Sequence, residues 1–181
     1  MHTLWKVLKQ LLVVFLGAEL IVLLSHVAFP LPMTQVPITL QTFGISLLAM
    51  TLGPFQATAA LIVYLACATL GLPVLAGGTA DPHWMASAKA GYLCGFALSA
   101  FLLSTLLKVI RPRSFCRSWL VFAVNESTVL LMGMIWLSFY VGMEKSVAVG
   151  LLPFVPGALI KISAATLLYQ SLTRLYNQQT T

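Results

Sequence analysis

The chain has 181 residues, of which 60% are hydrophobic and only 8% are charged, and its mean hydropathy is +0.97. Ordinary soluble domains carry about 25% charged residues, so this composition excludes a soluble globular protein, a disordered chain and a disulfide scaffold. An integral membrane protein remains. The Lys and Arg residues behind the net charge of +6 stand at the ends of apolar segments, which favours topology signals over nucleic-acid binding.

The first half of the chain holds three apolar segments separated by proline and glycine. Residues 7–29 predict a first membrane span, which ends at Pro30 because proline lacks an amide donor. Residues 38–52 and 55–70 predict a helical hairpin that turns at Gly53-Pro54. Both segments are slightly short for a hydrocarbon core of about 30 Å, so we expect one helix to be tilted or re-entrant.

The second half of the chain predicts three further spans after a glycine-rich loop. They cover residues 84–107, 118–141 and 147–172. Pro153 and Pro156 interrupt the last segment, and its regular helix is expected to begin near Pro156, because proline suits the first helical turn. The sequence therefore predicts an all-α, six-helix transmembrane bundle over residues 1–181, with no room for a separate soluble domain.

The basic residues indicate how this bundle is oriented. If the N-terminus is cytoplasmic, Lys89 and Lys145 lie on the outer side, and seven other basic residues lie on the inner side: Lys6, Lys9, Lys108, Arg111, Arg113, Arg117 and Arg174. Loops on the cytoplasmic side of membrane proteins carry an excess of Lys and Arg. We therefore expect both termini in the cytoplasm of a multi-pass protein of the cell inner membrane.

The connections on the outer side are longer and richer in glycine and proline than those on the inner side. Irregular backbone near a membrane must be covered by protein or water, so these loops are expected to fold over one another. The pocket predicted there involves residues 30–41, 71–92 and 142–161. Its polar candidates are Thr39, Gln41, Lys89, Tyr92 and Lys161.

Four charged or polar residues within the spans allow more than one interpretation. A lysine inside a span marks a functional site by default, which favours a site at Lys161 over snorkelling to the interface. For Glu19, pairing with a lysine and a functional role both stay open. Asn125 and Glu126, in the inner half of the fifth span, predict interhelical hydrogen bonds.

Motifs for catalysis and for nucleotide hydrolysis are absent from the sequence. It contains no GxxxxGK[ST], so the chain cannot hydrolyse ATP by itself, and neither GxSxG nor HExxH occurs. We therefore predict a protein that is not an enzyme and has no catalytic residues, no metal site and no cofactor.

Four sequence blocks, in the same order along the chain, resemble the BioY family of biotin transporters. They are PITLQTFG at residues 37–44, GLPV at 71–74, AGYLCGF at 90–96, and PFVPG at 153–157 followed by Lys161. The resemblance implies the substrate-binding S component of an energy-coupling-factor (ECF) vitamin transporter, with six helices and the vitamin held near the outer face.

The resemblance also implies ligand contacts and partners. It places biotin against Lys161 and the polar loop residues, with Gln41, Thr79, Lys89 and Tyr92 as further contacts. Its partners would be the lipid bilayer, an ECF transmembrane coupling protein and ATPase subunits, although some family members are thought to work without the ATPase. Two positions differ from the family pattern: Ala158 replaces a usual acid, and Lys89 lies in a stretch that is commonly Gly-Pro-Thr-Gly.

Three other functions stay open from the sequence. The same scaffold could carry a related vitamin or a precursor instead of biotin. A small membrane enzyme of lipid metabolism would need a catalytic cluster, and none is visible. A structural membrane subunit would need neither the outer loops nor Lys161.

Overall fold

Helices dominate the computed structural model, which describes residues 2–34 and 36–179. In chain order these residues form α1 (His2–His26), β1 (Ala28–Phe29), β2 (Ile38–Thr39), α2 (Gln41–Thr51), α3 (Pro54–Thr69), α4 (Ala90–Ile110), α5 (Phe115–Val141), α6 (Met143–Gly150) and α7 (Val155–Gln179). Single turns of 3-10 helix at Ala76–Gly78, Trp84–Ala86 and Leu152–Phe154 punctuate the loops.

Within residues 2–34 and 36–179, four helical stretches are long and apolar enough to cross a membrane: Leu4–His26, Ala90–Ile110, Phe115–Val141 and Met143–Tyr176. The hairpin helices are shorter. With 11 and 16 residues, α2 and α3 extend about 16 and 24 Å at 1.5 Å per residue. The predicted helical membrane bundle is confirmed. The hairpin is short, as expected, mainly because α2 has only 11 residues.

The start of the second predicted span is wrong, because residues 38 and 39 are not helical. Ile38 and Thr39 form an antiparallel pair with Phe29 and Ala28, respectively. This pairing joins the two ends of the proline-rich loop directly above α1. Helix α2 consequently begins only at Gln41, and the first helix ends at His26 instead of continuing to Phe29.

Two further boundaries differ from the predictions. Trp84–Ala86 forms a separate turn that is anchored by the bond from Trp84 Nε1 to Thr69 Oγ1 (3.0 Å), so α4 starts at Ala90 instead of residue 84. The residues after Gly142, which lie between the predicted spans 118–141 and 147–172, begin a separate helix, α6. The expected start of the last long helix near Pro156 is confirmed by α7.

Small residues allow the central helices α4 and α5 to approach closely. A Cβ atom on Gly133 would lie 2.1 Å from the Tyr92 ring, and one on Gly91 would lie 2.5 Å from the Met132 carbonyl oxygen. In membranes, where apolar burial drives helix association only weakly, such close backbone approach is a main source of packing energy. This contact fixes the position of Tyr92 at the start of α4.

The long connections gather at one end of the bundle, which we call the loop end (residues 27–40, 70–89 and 142–154). The opposite, basic end carries the turn at Gly53 and the link at residues 111–114. Side chains of the helices hold the loops: Ser25 Oγ donates to the Val74 carbonyl (2.8 Å), Trp136 Nε1 to that of Ser87 (3.0 Å) and Tyr140 OH to that of Ala86 (2.7 Å). As expected, the loops fold into a cover over the helices.

Candidate ligand-binding site

A cavity of about 260 Å³ lies under the loop end, bounded by the proline-rich loop and by α2, α4, α5 and α7. Small-molecule pockets typically span about 300–1,000 Å³, so this cavity suits a compact ligand. Its apolar wall includes Val36, Leu75, Phe96, Val129, Leu130 and Phe154. All six predicted site residues line it: Thr39, Gln41, Thr79, Lys89, Tyr92 and Lys161.

The late start of α2 leaves the space for this cavity. Gln41 and Thr42, the first residues of the helix, lie at its floor. Asn125 on α5 fixes that position, because its Nδ2 donates to the Thr42 carbonyl (2.8 Å) and to Ser46 Oγ (3.1 Å). The predicted interhelical hydrogen bond of Asn125 is thereby confirmed. Asn125 does not line the cavity, but it fixes the position of the helix that does.

Lys161 points into the cavity and pairs with Glu126. Its Nζ lies 3.2 Å from Glu126 Oε1 and 3.3 Å from Oε2, and it also donates to Thr42 Oγ1. The two side chains are only 15% and 5% exposed. Snorkelling is therefore the wrong interpretation of Lys161, because its ammonium turns inward to a buried carboxylate.

Glu126 is a charged cavity residue that the sequence interpretation did not include among the site candidates. It does bridge α5 to α7, but it does so as an ion pair and it lines the cavity. The rule that marked Lys161, a charge within a span, applies equally to Glu126. The spacing of Glu126, Val129 and Leu130 also places these three residues on one helical face, and all three line the cavity.

Lys89 presents a second cation to the cavity from the N-cap position of α4. Neither a hydrogen bond nor an ion pair holds its Nζ among the residues that the structure describes. A helix N-terminus already carries partial positive charge, so the dipole of α4 does not neutralise the charge of Lys89. The arrangement favours a negatively charged group of a ligand at this edge of the cavity.

Gln41 belongs to a short hydrogen-bond chain at the cavity floor. The amide is buried, its Nε2 donates to Tyr64 OH (2.7 Å), and its Oε1 accepts from Thr39 Oγ1 (3.1 Å). These bonds fix the orientation of the Gln41 amide and leave one of its two N–H donors free. Gln41 can therefore offer one well-oriented donor to a ligand.

Tyr92 and Thr79 contribute shape more than hydrogen bonds. Tyr92 OH donates to the Gly150 carbonyl (2.6 Å), and its ring lies 6.1 Å from that of Phe154. The hydroxyl is thus engaged, and the ring forms part of the wall. Thr79 Oγ1 donates to the Ala76 carbonyl (3.1 Å) in the glycine-rich loop and remains exposed at the cavity mouth.

Glu19 lies away from the cavity, on an exposed face of α1. Its possible pairing with a lysine does not occur within residues 2–34 and 36–179, where the ion pair is Lys161–Glu126. The structure thus assigns Glu19 neither to the ion pair nor to the cavity.

The sequence is similar to known proteins along nearly its whole length. It matches the BioY family over residues 1–178. The chain belongs to the BioY family. Two similar relatives are the biotin transporter BioY of Thermotoga maritima, 32% identical, covering 93% of this chain and 98% of that protein, and the biotin transporter BioY2 of Lactococcus lactis, 31% identical, covering 92% and 91%.

A solved structure has the same fold as this BioY-family chain. It is a crystal structure of the S-component for biotin from an ECF-type ABC transporter, with a TM-score of 0.82, 27% sequence identity and 93% coverage of both chains. Three of the four sequence blocks that resemble the BioY family line the cavity: Thr39 and Gln41 come from the first, Tyr92 from the third, and Phe154 from the fourth. Ala158, where the family usually has an acid, is buried.

Proposed function

We propose that this protein takes up biotin across the cytoplasmic membrane and is the substrate-binding component of the transport system. The observation that carries this proposal is the cavity, in a fold shared with an S-component for biotin. Biotin combines a ureido ring, an apolar bicycle and chain, and a carboxylate. The cavity offers an apolar wall with the Lys161–Glu126 pair on one side and the unpaired Lys89 on another.

The bound molecule would be held by complementary chemistry along its length. Lys89 binds the carboxylate, because it is the cavity cation without a carboxylate partner among the described residues. Lys161 donates to the ureido carbonyl. The ring of Tyr92 packs on the apolar part, Gln41 supplies its free amide N–H, and the hydroxyls of Thr39 and Thr79 lie near the mouth.

The loop end faces the outside and both termini lie in the cytoplasm in this proposal. The support is the excess of basic residues at the opposite end, which cytoplasmic loops typically carry. The sequence has no nucleotide-binding motif, so energised uptake would require an ECF transmembrane coupling protein and ATPase subunits. A catalytic role in lipid metabolism finds no support in the family or the fold.

Uptake of radiolabelled biotin tests the proposal in cells that lack their own biotin transporter, with and without co-expressed coupling protein and ATPases. We expect saturable uptake that an excess of unlabelled biotin or desthiobiotin abolishes and that thiamine or riboflavin leaves unchanged. Lys161→Ala and Lys89→Ala should reduce uptake, whereas Lys108→Ala at the basic end should not.

Two results would count against the proposal. Uptake no higher than in cells with an empty vector, at equal protein in the membrane and with the partners present, would contradict a biotin transporter. Stronger competition by another vitamin or precursor than by biotin itself would indicate that the scaffold carries that compound instead.

A further inference from the structure

We infer that Glu126 binds the N–H donors of the ligand's ureido ring and, together with Lys161, selects a neutral group that offers a carbonyl next to N–H. This inference rests on the proposed function, because it names the part of biotin that the ion pair recognises. The Lys161–Glu126 ion pair leaves part of its hydrogen-bonding capacity unused.

The carboxylate of Glu126 has more acceptor sites than its protein partners fill. An ionised carboxylate offers about four lone-pair sites, and Lys161 Nζ, at 3.2 and 3.3 Å from the two oxygens, occupies at most one on each. No other donor to this carboxylate is found among the described residues. With the side chain only 5% exposed and lining the cavity, the remaining sites call for donors from the occupant.

The charge of the pair determines which end of the ligand it can accept. Glu126 neutralises Lys161, so a carboxylate placed here would face the repulsion of another buried carboxylate. A neutral group with adjacent acceptor and donors meets both partners at once, with its carbonyl toward Lys161 and its N–H toward Glu126. Lys89, which has no such partner, then takes the carboxylate.

A purely structural role for Glu126, holding Lys161 in place, is the alternative that an experiment must separate. The probe is 2-iminobiotin, in which a protonated guanidinium replaces the neutral ureido group. In the wild-type protein its cation lies close to Lys161, so we expect biotin to bind more tightly. In Lys161→Met, the guanidinium supplies the positive charge that Glu126 has lost.

The measurement is the ratio of the two affinities for the purified protein in nanodiscs, at neutral pH. We expect Lys161→Met to shift the ratio toward 2-iminobiotin by about tenfold or more, the scale of one hydrogen bond to a charged group. The double variant Lys161→Met, Glu126→Gln should lose this shift, because the carboxylate is gone. No shift in Lys161→Met, or the same shift in the double variant, would overturn the inference.

A second comparison keeps the test decisive if Lys161→Met does not fold. In Glu126→Gln the guanidinium of 2-iminobiotin faces Lys161 without a compensating carboxylate, so its affinity should fall about tenfold more than that of biotin. Equal losses for both compounds would contradict direct recognition by Glu126. Failure of the wild-type protein to bind either compound would instead refute the proposed function, and the two failures are thus distinguishable.

Discussion

The same four helices pack differently in the half of the bundle near the basic end and in the half near the loop end. Toward the basic end, α2, α4, α5 and α7 close around a dense apolar core in which the rings of Phe122 and Tyr169 meet edge to face at 5.7 Å. Toward the loop end they separate around a cavity that holds Lys89, Glu126 and Lys161. The difference arises where α2 begins, since its 11 residues reach only part of the way along the bundle.

Two hydrogen bonds near the basic end contrast with the charged groups of the cavity. Near the basic end, Gln170 Nε2 donates to Ser118 Oγ (2.6 Å) and Thr166 Oγ1 donates to the Ile162 carbonyl (2.8 Å), so these groups are engaged within the protein. Around the cavity, Lys89 and Glu126 keep unused hydrogen-bonding capacity. The charged groups with free bonding capacity therefore lie around the cavity, and we expect substitutions there to affect binding more than substitutions in the apolar core of the basic half.

The largest expected effect on stability is that of Phe122→Ala in the basic half. Lipid tails are as apolar as the protein core, so the loss is mainly one of packing, and we expect the free energy of unfolding to fall by about 3 kcal/mol. The biotin affinity of the folded protein should stay within about twofold, because the ring lies outside the cavity. Thermal unfolding and binding in the same detergent measure both effects, with the lipid-facing Leu120→Ala as control. A loss of biotin affinity without a loss of stability would contradict the expected difference between the two halves.

Gly133→Ala should lower both the stability of the protein and its affinity for biotin. Its Cβ would lie 2.1–2.3 Å from three atoms of the Tyr92 ring, so the ring and the cavity wall must shift, at a cost of about 2 kcal/mol in stability. We also expect biotin affinity to fall. Gly53→Ala is the matched control, because nothing lies within 4 Å of its Cβ position. Equal behaviour of the two variants would show that the α4–α5 contact does not shape the cavity.

Lys89→Met tests which end of biotin meets the unpaired lysine. Loss of a hydrogen bond to a charged group should weaken biotin binding about tenfold, while the affinity for biotin methyl ester should barely change. Lys145→Met, at an exposed lysine of the loop end that does not line this cavity, should leave both affinities unchanged. If the ester were weakened as much as biotin, the carboxylate would have to lie elsewhere.

The smallest expected effect is that of Tyr64→Phe beneath the cavity floor. It removes the acceptor for Gln41 Nε2 and leaves a buried amide hydrogen unpaired, which typically costs about 1 kcal/mol. We expect a small fall in the unfolding temperature and a few-fold fall in biotin affinity, as the Gln41 amide loses its orientation. Unchanged affinity would remove Gln41 from the binding residues, and Tyr169→Phe, in the basic half and outside the cavity, serves as a control.

Much of this architecture could be predicted from local features of the sequence. Apolar runs, prolines and glycines marked the helices, and the same features placed Gln41, Tyr92 and Lys161 near the cavity that the structure shows. These predictions succeed because apolar runs, prolines and glycines act on the backbone of their immediate neighbours. Their role in binding stays a prediction.

The features that escaped prediction depend on contacts between distant segments. Ile38–Thr39 becomes a strand only by pairing with Ala28–Phe29, and a two-residue strand has no periodicity to reveal it. Glu126 acquires its role from Lys161, 35 residues further along the chain. Its place on a cavity wall depends on the length of α2, which the strand pairing shortens.

Equilibrium binding of radiolabelled biotin to the purified protein in nanodiscs tests the central claim most directly, with wild type and Lys161→Ala measured side by side. We predict a single saturable site in the wild type, displaced by unlabelled biotin, and an affinity lower by about tenfold or more in a Lys161→Ala protein that elutes as one folded species. Saturable binding of equal affinity in both proteins would contradict it, because biotin would then not occupy the cavity that Lys161 lines.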